Sequence, residues 1–216
     1  MASLAQLLAS HGSILVLDAA SASVQAGVLT RSGTAAWSAS RAEAGSGVFA
    51  GTRSTLAQAG LELAQVGAFV FCEGPGSMLG IRTVAMALRT WNVLQARPVY
   101  AYQSLAVAGR HAWTLKPGAA FTVIADARRD SWHSLAVAGS GLLGPLRRVT
   151  AGELPEGDWL TPAGFRAWAT PPRPVGVCSY DLAAIFPALG DGEFFRPVEA
   201  PDAFQHEAPA YRKWTA

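Results

Sequence analysis

One apolar run ending in an acid occurs twice in this chain. Ile14-Leu15-Val16-Leu17-Asp18-Ala19 aligns with Thr122-Val123-Ile124-Ala125-Asp126-Ala127, offset by half of the 216 residues. In both copies a short turn and a second strand-like segment follow, Ser23 to Leu29 in the first and Ser131 to Val137 in the second. An internal match at this offset predicts two halves built on one plan, each opening on a buried strand that ends in aspartate. The expected lobes are residues 1–102 and 103–216. No low-complexity linker parts them, so they should share an interface.

Periodicity fills in the plan. Ser13 to Asp18, Ser23 to Thr30 and Thr34 to Ser38 read as a meander of strands, and Val48 to Ala59 as a helix ended by Gly60. Gly67 to Glu73 is a buried strand stopped by Gly74-Pro75-Gly76, after which Ser77 can cap a helix running to Leu94. Pro98 to Ala101 and Gln103 to Trp113 supply another strand and helix. The order β-β-β-α-β-α-β-α implies a mixed sheet covered by helices. Beyond Gly139 the pattern weakens: Leu142 to Thr150 reads as a strand, Glu153 to Pro174 as loop, Val175 to Cys178 as a last strand and Tyr180 to Leu189 as a helix.

Composition narrows the function classes. Half of the residues are hydrophobic and 15% are charged, against about a quarter charged in ordinary domains. A chain this apolar folds. The net charge of +2 advertises neither nucleic acid nor membrane. From Gly74 to Ala125 there is no acidic residue, while Arg82, Arg89, Arg97, Arg110 and Lys116 stand there. Five basic residues in that span are sparse for an RNA groove, so its low charge reads as surface hidden by packing. The N-terminal stretch lacks the cationic start of a secretory signal, and no run approaches the roughly 18 residues of a membrane span. Cys72 and Cys178 stand far apart in no metal spacing, which suits a reducing cytoplasm.

The familiar catalytic patterns do not fit. Gly74-Pro75-Gly76-Ser77-Met78-Leu79-Gly80 is one residue too long for a dinucleotide fingerprint, carries no Lys-Ser or Lys-Thr, and is not a nucleophile elbow. His11, His111, His133 and His206 stand singly. Paired strand-Asp-turn units hold nucleotide phosphates in actin-like ATPases and sugar kinases, but that use needs glycine beside the acid. Here Ala19-Ala20 follows Asp18, and Ala127-Arg128-Arg129 follows Asp126. The two aspartates are therefore at most vestigial nucleotide-site candidates. Acids that bond their own turns are the simpler reading. No cofactor or metal is expected.

In order and spacing, Ile14 to Asp18, the run Gly74-Pro75-Gly76-Ser77-Met78-Leu79-Gly80-Ile81-Arg82, Ser104-Leu105, Asp126-Ala127-Arg128-Arg129 and Pro209-Ala210-Tyr211-Arg212 resemble the TsaB (YeaZ) family over nearly the whole chain. The resemblance implies a duplicated actin-like, ribonuclease H-like two-lobe α/β fold that has lost its own active site. It implies a cytoplasmic, non-catalytic partner of the TsaD-type catalytic subunit, alongside a TsaE-type ATPase, in threonylcarbamoyladenosine modification of tRNA. The protein would be a homodimer when alone and would meet tRNA only through the complex. The family's older glycoprotease label finds no histidine pair here. The sequence departs from the family pattern at Ala19-Ala20-Ser21, Gly45-Ser46-Gly47 and Met78-Leu79. The last two bear on partner contact. The alternatives are an actin-like ATPase or kinase and a stand-alone interaction protein.

In the family the helices of the first lobe pair with the partner. The Ser77 to Leu94 helix is apolar on two sides, one of which can cover the sheet while the other needs protein. Helical spacing places Met78, Arg82, Met86 and Arg89 on one face, with small Ala85 allowing close approach. That face, with Val48 and Thr52 of the preceding helix, is the expected interface.

Overall fold

The computed structural model describes residues 1–205. The Pro209-Ala210-Tyr211-Arg212 segment and His206 lie outside the described residues. Two mixed sheets carry the molecule. In the first lobe β1 (Ser13–Asp18), β2 (Val24–Thr30) and β3 (Ala35–Ser40) form the antiparallel meander, while β4 (Ala68–Gly74) and β5 (Val99–Gln103) add parallel to β1. The second lobe repeats the scheme with β6 (Phe121–Asp126), β7 (Ser131–Val137), β8 (Arg147–Thr150), β9 (Trp159–Pro162) and β10 (Gly176–Cys178). The strand orders are β5-β4-β1-β2-β3 and β10-β9-β6-β7-β8, so position for position the sheets match. This is the duplicated mixed-sheet arrangement foreshadowed by the twin Asp-terminated strands.

The helices are unequally shared. α1 (Leu4–His11), α2 (Ala44–Ala59), α3 (Met78–Leu94) and α4 (Ser104–Leu115) precede β6, and only α5 (Leu182–Ala188) follows it among the described residues. Where the first lobe has α2 and α3, the second has one 3-10 turn at Ala151–Glu153 and the loop 163–175. α4 touches strands of both sheets and packs on α5, so these two helices fill the space between the lobes. Along β1 the alternation is clean. Ile14 and Val16 face this central core with Leu105, Val123, Leu182 and Phe186, while Leu15 and Leu17 face an outer core under α2 and α3 with Val48, Val84 and Leu88. A strand buried on both faces reads as an unbroken apolar run, and each such side chain contributes about 1.5–3 kcal/mol by leaving water.

Several elements differ from the sequence expectation. α1 was not foreseen, although Ser3 and Gln6 form a capping box: the Gln6 N–H donates to Ser3 Oγ at 3.3 Å and the Ser3 N–H to Gln6 Oε1 at 2.8 Å. α2 begins a turn before Val48, with no side-chain cap at Glu43 to mark its start. Only the last four residues of the Leu142 to Thr150 segment form a strand, and the expected loop from Glu153 to Pro174 contains β9. A four-residue strand offers too few alternations to stand out. The chain finally crosses back: β11 (Arg196–Val198) adds antiparallel to β5, Ala2 and Phe195 exchange backbone hydrogen bonds at 2.8 and 3.1 Å, and the Phe204 N–H donates to the Glu73 carbonyl at 2.7 Å. The first sheet thus holds strands from both halves of the chain.

Candidate functional site

The glycine turn between β4 and α3 serves packing. A Cβ on Gly80 would stand 2.1 Å from the Ala19 carbonyl oxygen, and one on Gly76 would stand 2.5 Å from that of Ala20. The Ser77 N–H donates to the same Ala20 oxygen at 2.7 Å, and Ser77 Oγ caps α3 by accepting from the Gly80 N–H at 3.3 Å. On the other side Ser104 Oγ donates to the Pro75 carbonyl at 2.6 Å, tying the turn to the start of α4. Gly74, Pro75, Gly76, Ser77 and Gly80 therefore form the joint through which α3 lies against the end of β1. Glycine is required by the close approach of backbone.

Both aspartates are consumed internally. Asp18 is fully buried; its Oδ1 accepts from the Ala20 N–H at 2.8 Å, and its Oδ2 accepts from the hydroxyls of Tyr102 and Tyr180, each at 2.7 Å. Burial pushes this carboxyl above the usual aspartate range, while those three hydrogen bonds pull against the shift. Tyr180 comes from the second lobe, so Asp18 is a latch between lobes. Gln25 is a second one, its amide bonding the Tyr180 carbonyl and the Leu182 N–H at 3.0 and 2.9 Å. Asp126 is partly exposed, and there the balance reverses. Partial burial raises its pKa, but the N–H groups of Ala169, Arg128 and Trp168 outweigh that and hold the carboxyl below its ordinary value. This acid ties the 163–175 loop to the end of β6.

The expected interface residues separate into two groups. Val48 is 0% exposed, Thr52 4% and Ala85 2%, all within the outer core, and Thr52 Oγ1 donates to the Val48 carbonyl at 2.8 Å. These three are corrected: their side chains pack inside the lobe, because α2 and α3 lie on the same sheet and turn them toward it. Met78, Arg82, Met86 and Arg89 do face outward, and Arg89 reaches Asp202 at 3.4 Å. The main feature of the surface was missed. Leu79, Met86 and Val93, seven residues apart, are 75%, 57% and 86% exposed along α3, and Phe49 of α2 lies 50% exposed with its ring edge against Trp91. Thr83 and Thr90 stand beside this stripe, and their hydroxyls donate to the helix's own Leu79 and Met86 carbonyls at 2.9 Å. The repeat at seven was available in the sequence as a helical stripe. What hid it was the apolar character of the opposite face.

A cleft of about 570 Å³ opens between the glycine turn and the second lobe, lined among others by Ala19, Gly76, Met78, Arg128, His133 and Trp168. Among the described residues no group of three His, Cys, Asp or Glu side chains is placed to hold a metal ion, and no helix is long and apolar enough to cross a membrane.

No family model matches the sequence, and no curated protein does. Solved structures do. YeaZ from Pseudomonas aeruginosa is similar with a TM-score of 0.62 at 23% identity, over 77% of this chain and 83% of that one. A protein described as having similarity to peptidase YEAZ from Pseudomonas aeruginosa reaches 0.66 at 22% identity, over 93% of this chain and 99% of that one. With matching strand orders in its two sheets and both lobes covered, this chain has the two-lobed α/β fold of the YeaZ structures.

Proposed function

We infer that this protein is a non-catalytic partner subunit that docks a TsaD-type catalytic subunit, with a TsaE-type ATPase, in threonylcarbamoyladenosine modification of tRNA. The observation that carries the reading is the exposed apolar stripe Leu79, Met86 and Val93, bordered by Arg82 and Arg89. Stripes of this kind on a helix already packed on its own sheet mark protein-binding surface. The sequence resemblance supplies the identity of the partner, and the shared fold supports it. The role follows physically: a subunit that binds one conformation of its partner more tightly than another shifts the population toward that conformation. In the partner's absence the same stripe pairs two copies of this chain.

The test is co-purification of the TsaD-type subunit from the protein's own source, comparing the wild type with the Leu79→Glu/Met86→Glu variant. Both side chains are exposed, so the variant is expected to keep its thermal transition and lose the partner. Undiminished capture by the folded variant would overturn the interface. Against an ATPase or kinase stand the two aspartates, each occupied by protein donors, and calorimetry with ATP and magnesium is expected to show no binding. A stand-alone role predicts unchanged tRNA nucleosides after depletion of the protein, where the partner-subunit role predicts loss of the modified base.

A further inference from the structure

At the mouth of the interlobe cleft, on the second lobe, Trp168 is 63% exposed and two guanidiniums stand over its ring, those of Arg128 and Arg166, each 5.3 Å from the centroid. Arg129 is exposed beside Arg128 and shares a hollow of about 310 Å³ with Trp168. Arg148 stands at the foot of the same turn, its Nε donating to Ser131 Oγ at 2.9 Å. The turn itself is unusual: Arg128, Arg129 and Asp130 have φ of 62°, 51° and 54°, three consecutive non-glycine residues in the left-handed region. Such conformations are costly for L-residues. The Asp126 side chain holds the turn by accepting the Arg128 N–H at 2.6 Å. Among the described residues none of these four arginines makes a close ion pair, although Asp126 and Asp130 also line the hollow and the Arg128 charge helps to hold the Asp126 carboxyl below its ordinary value.

We propose that this Arg-Trp-Arg stack, with Arg129 and Arg148, is a direct contact site for a single-stranded segment of RNA, in place of the purely partner-mediated contact that the resemblance implies. Phosphates are met by guanidinium forks, and unstacked bases lie on aromatic rings or on guanidinium planes. Both kinds of surface are present here within one hollow. An acidic polypeptide would use the charges and leave the stacking planes idle. The choice of RNA over DNA rests on the proposed role in tRNA modification; the chemistry of the site does not. The patch lies outside the acid-free stretch and on a different lobe from the α3 stripe, facing the Leu79 end of that stripe across the cleft, so an RNA held by the assembled complex could touch both this chain and its partner.

The experiment measures fluorescence anisotropy of a labelled oligoadenylate of about twelve nucleotides, within the range of single-strand site sizes, and of an unmodified tRNA transcript, at several salt concentrations. Wild-type protein is expected to bind both, and Arg128→Glu/Arg129→Glu to weaken binding at least about tenfold with a shallower dependence on salt, about 0.7 in the log-log slope for each phosphate that is no longer neutralised. Trp168→Ala is expected to weaken binding about fivefold or more without changing that slope. Its backbone N–H to Asp126 remains, so the loop stays anchored. Met86→Glu/Val93→Glu, whose exposed side chains do not line the cleft, should bind RNA as the wild type does. Equal binding by all the patch variants, or equally effective competition by polyglutamate together with a silent Trp168→Ala, would overturn the proposal. Failure to bind RNA by protein that still captures its partner would sink this inference alone, and capture lost with RNA binding kept would sink only the partner assignment.

Discussion

Removing one oxygen atom tests whether the lobes are latched through Asp18. In Tyr180→Phe the ring stays, with its edge-to-face contact to Phe165 at 4.9 Å, while the hydroxyl that donates to Asp18 Oδ2 is lost. Hydrogen bonds to charged groups contribute about 1.5–3 kcal/mol, and for a protein of this size that corresponds to a fall in Tm of about 3–12 °C. The loss should depend on pH in a definite sense. Because burial raises the carboxyl's pKa in the folded state, the folded protein binds more protons than the unfolded chain between the ordinary aspartate value and the raised one. Stability therefore falls as pH climbs through that window. Tyr180→Phe withdraws a donor that favours the ionised form, so its penalty should grow as pH rises through the raised value. Urea denaturation across a series of pH values measures it. Asp18→Ala, which leaves two hydroxyls and the Ala20 N–H without their acceptor, is expected to cost about 3–5 kcal/mol. The double variant should fall short of the sum by about 1 kcal/mol or more, since one orphaned donor is gone. A penalty below about 0.5 kcal/mol, which is the range of ordinary surface substitutions, or one that grows toward acid, would refute the latch.

Gly80→Ala places a Cβ where the Ala19 carbonyl oxygen stands, and it is expected to lower stability by about 2–3 kcal/mol through displacement of α3, read by denaturant midpoint. Cys72 is buried, and burial pushes the Cys178 thiol up to about 11. Both should resist iodoacetamide in the native protein at neutral pH and react once urea unfolds it; rapid native labelling of Cys178 would contradict its placement. Asp126→Ala releases the backbone N–H groups of Arg128, Trp168 and Ala169, and faster tryptic cleavage after Arg128, Arg129 and Arg166 is expected, with the rest of the chain still resistant.

Much of the fold was legible because both faces of each leading strand are buried. The runs at Ile14 and Thr122 had to be apolar throughout, and their common plan was visible at half the chain length. Ser77 declared the start of α3 through its capping position, and Gly60 the end of α2. The weak second half was harder to read for a physical reason: its sheet is covered on one face by α4, which precedes it in the chain, and on the other by loop and a 3-10 turn, so no long amphipathic period lies among its own strands. The interface was half legible. Met78, Arg82, Met86 and Arg89 were placed on the outer face of α3 by their spacing, whereas Val48, Thr52 and Ala85 could not be assigned without knowing which way each helix faces.

The sequence by itself determined the duplicated α/β plan, the glycine joint and the absence of glycine beside the two strand-end acids, because periodicity and steric demand are local properties of the chain. Only the tertiary structure decided that Asp18 is sealed by tyrosines drawn from both lobes, that Val48, Thr52 and Ala85 turn inward onto the first sheet, and that Arg128, Arg166 and Trp168 meet at the cleft. Those are contacts between segments remote in sequence, set by how two sheets pack around α4 and α5, and no local pattern encodes them.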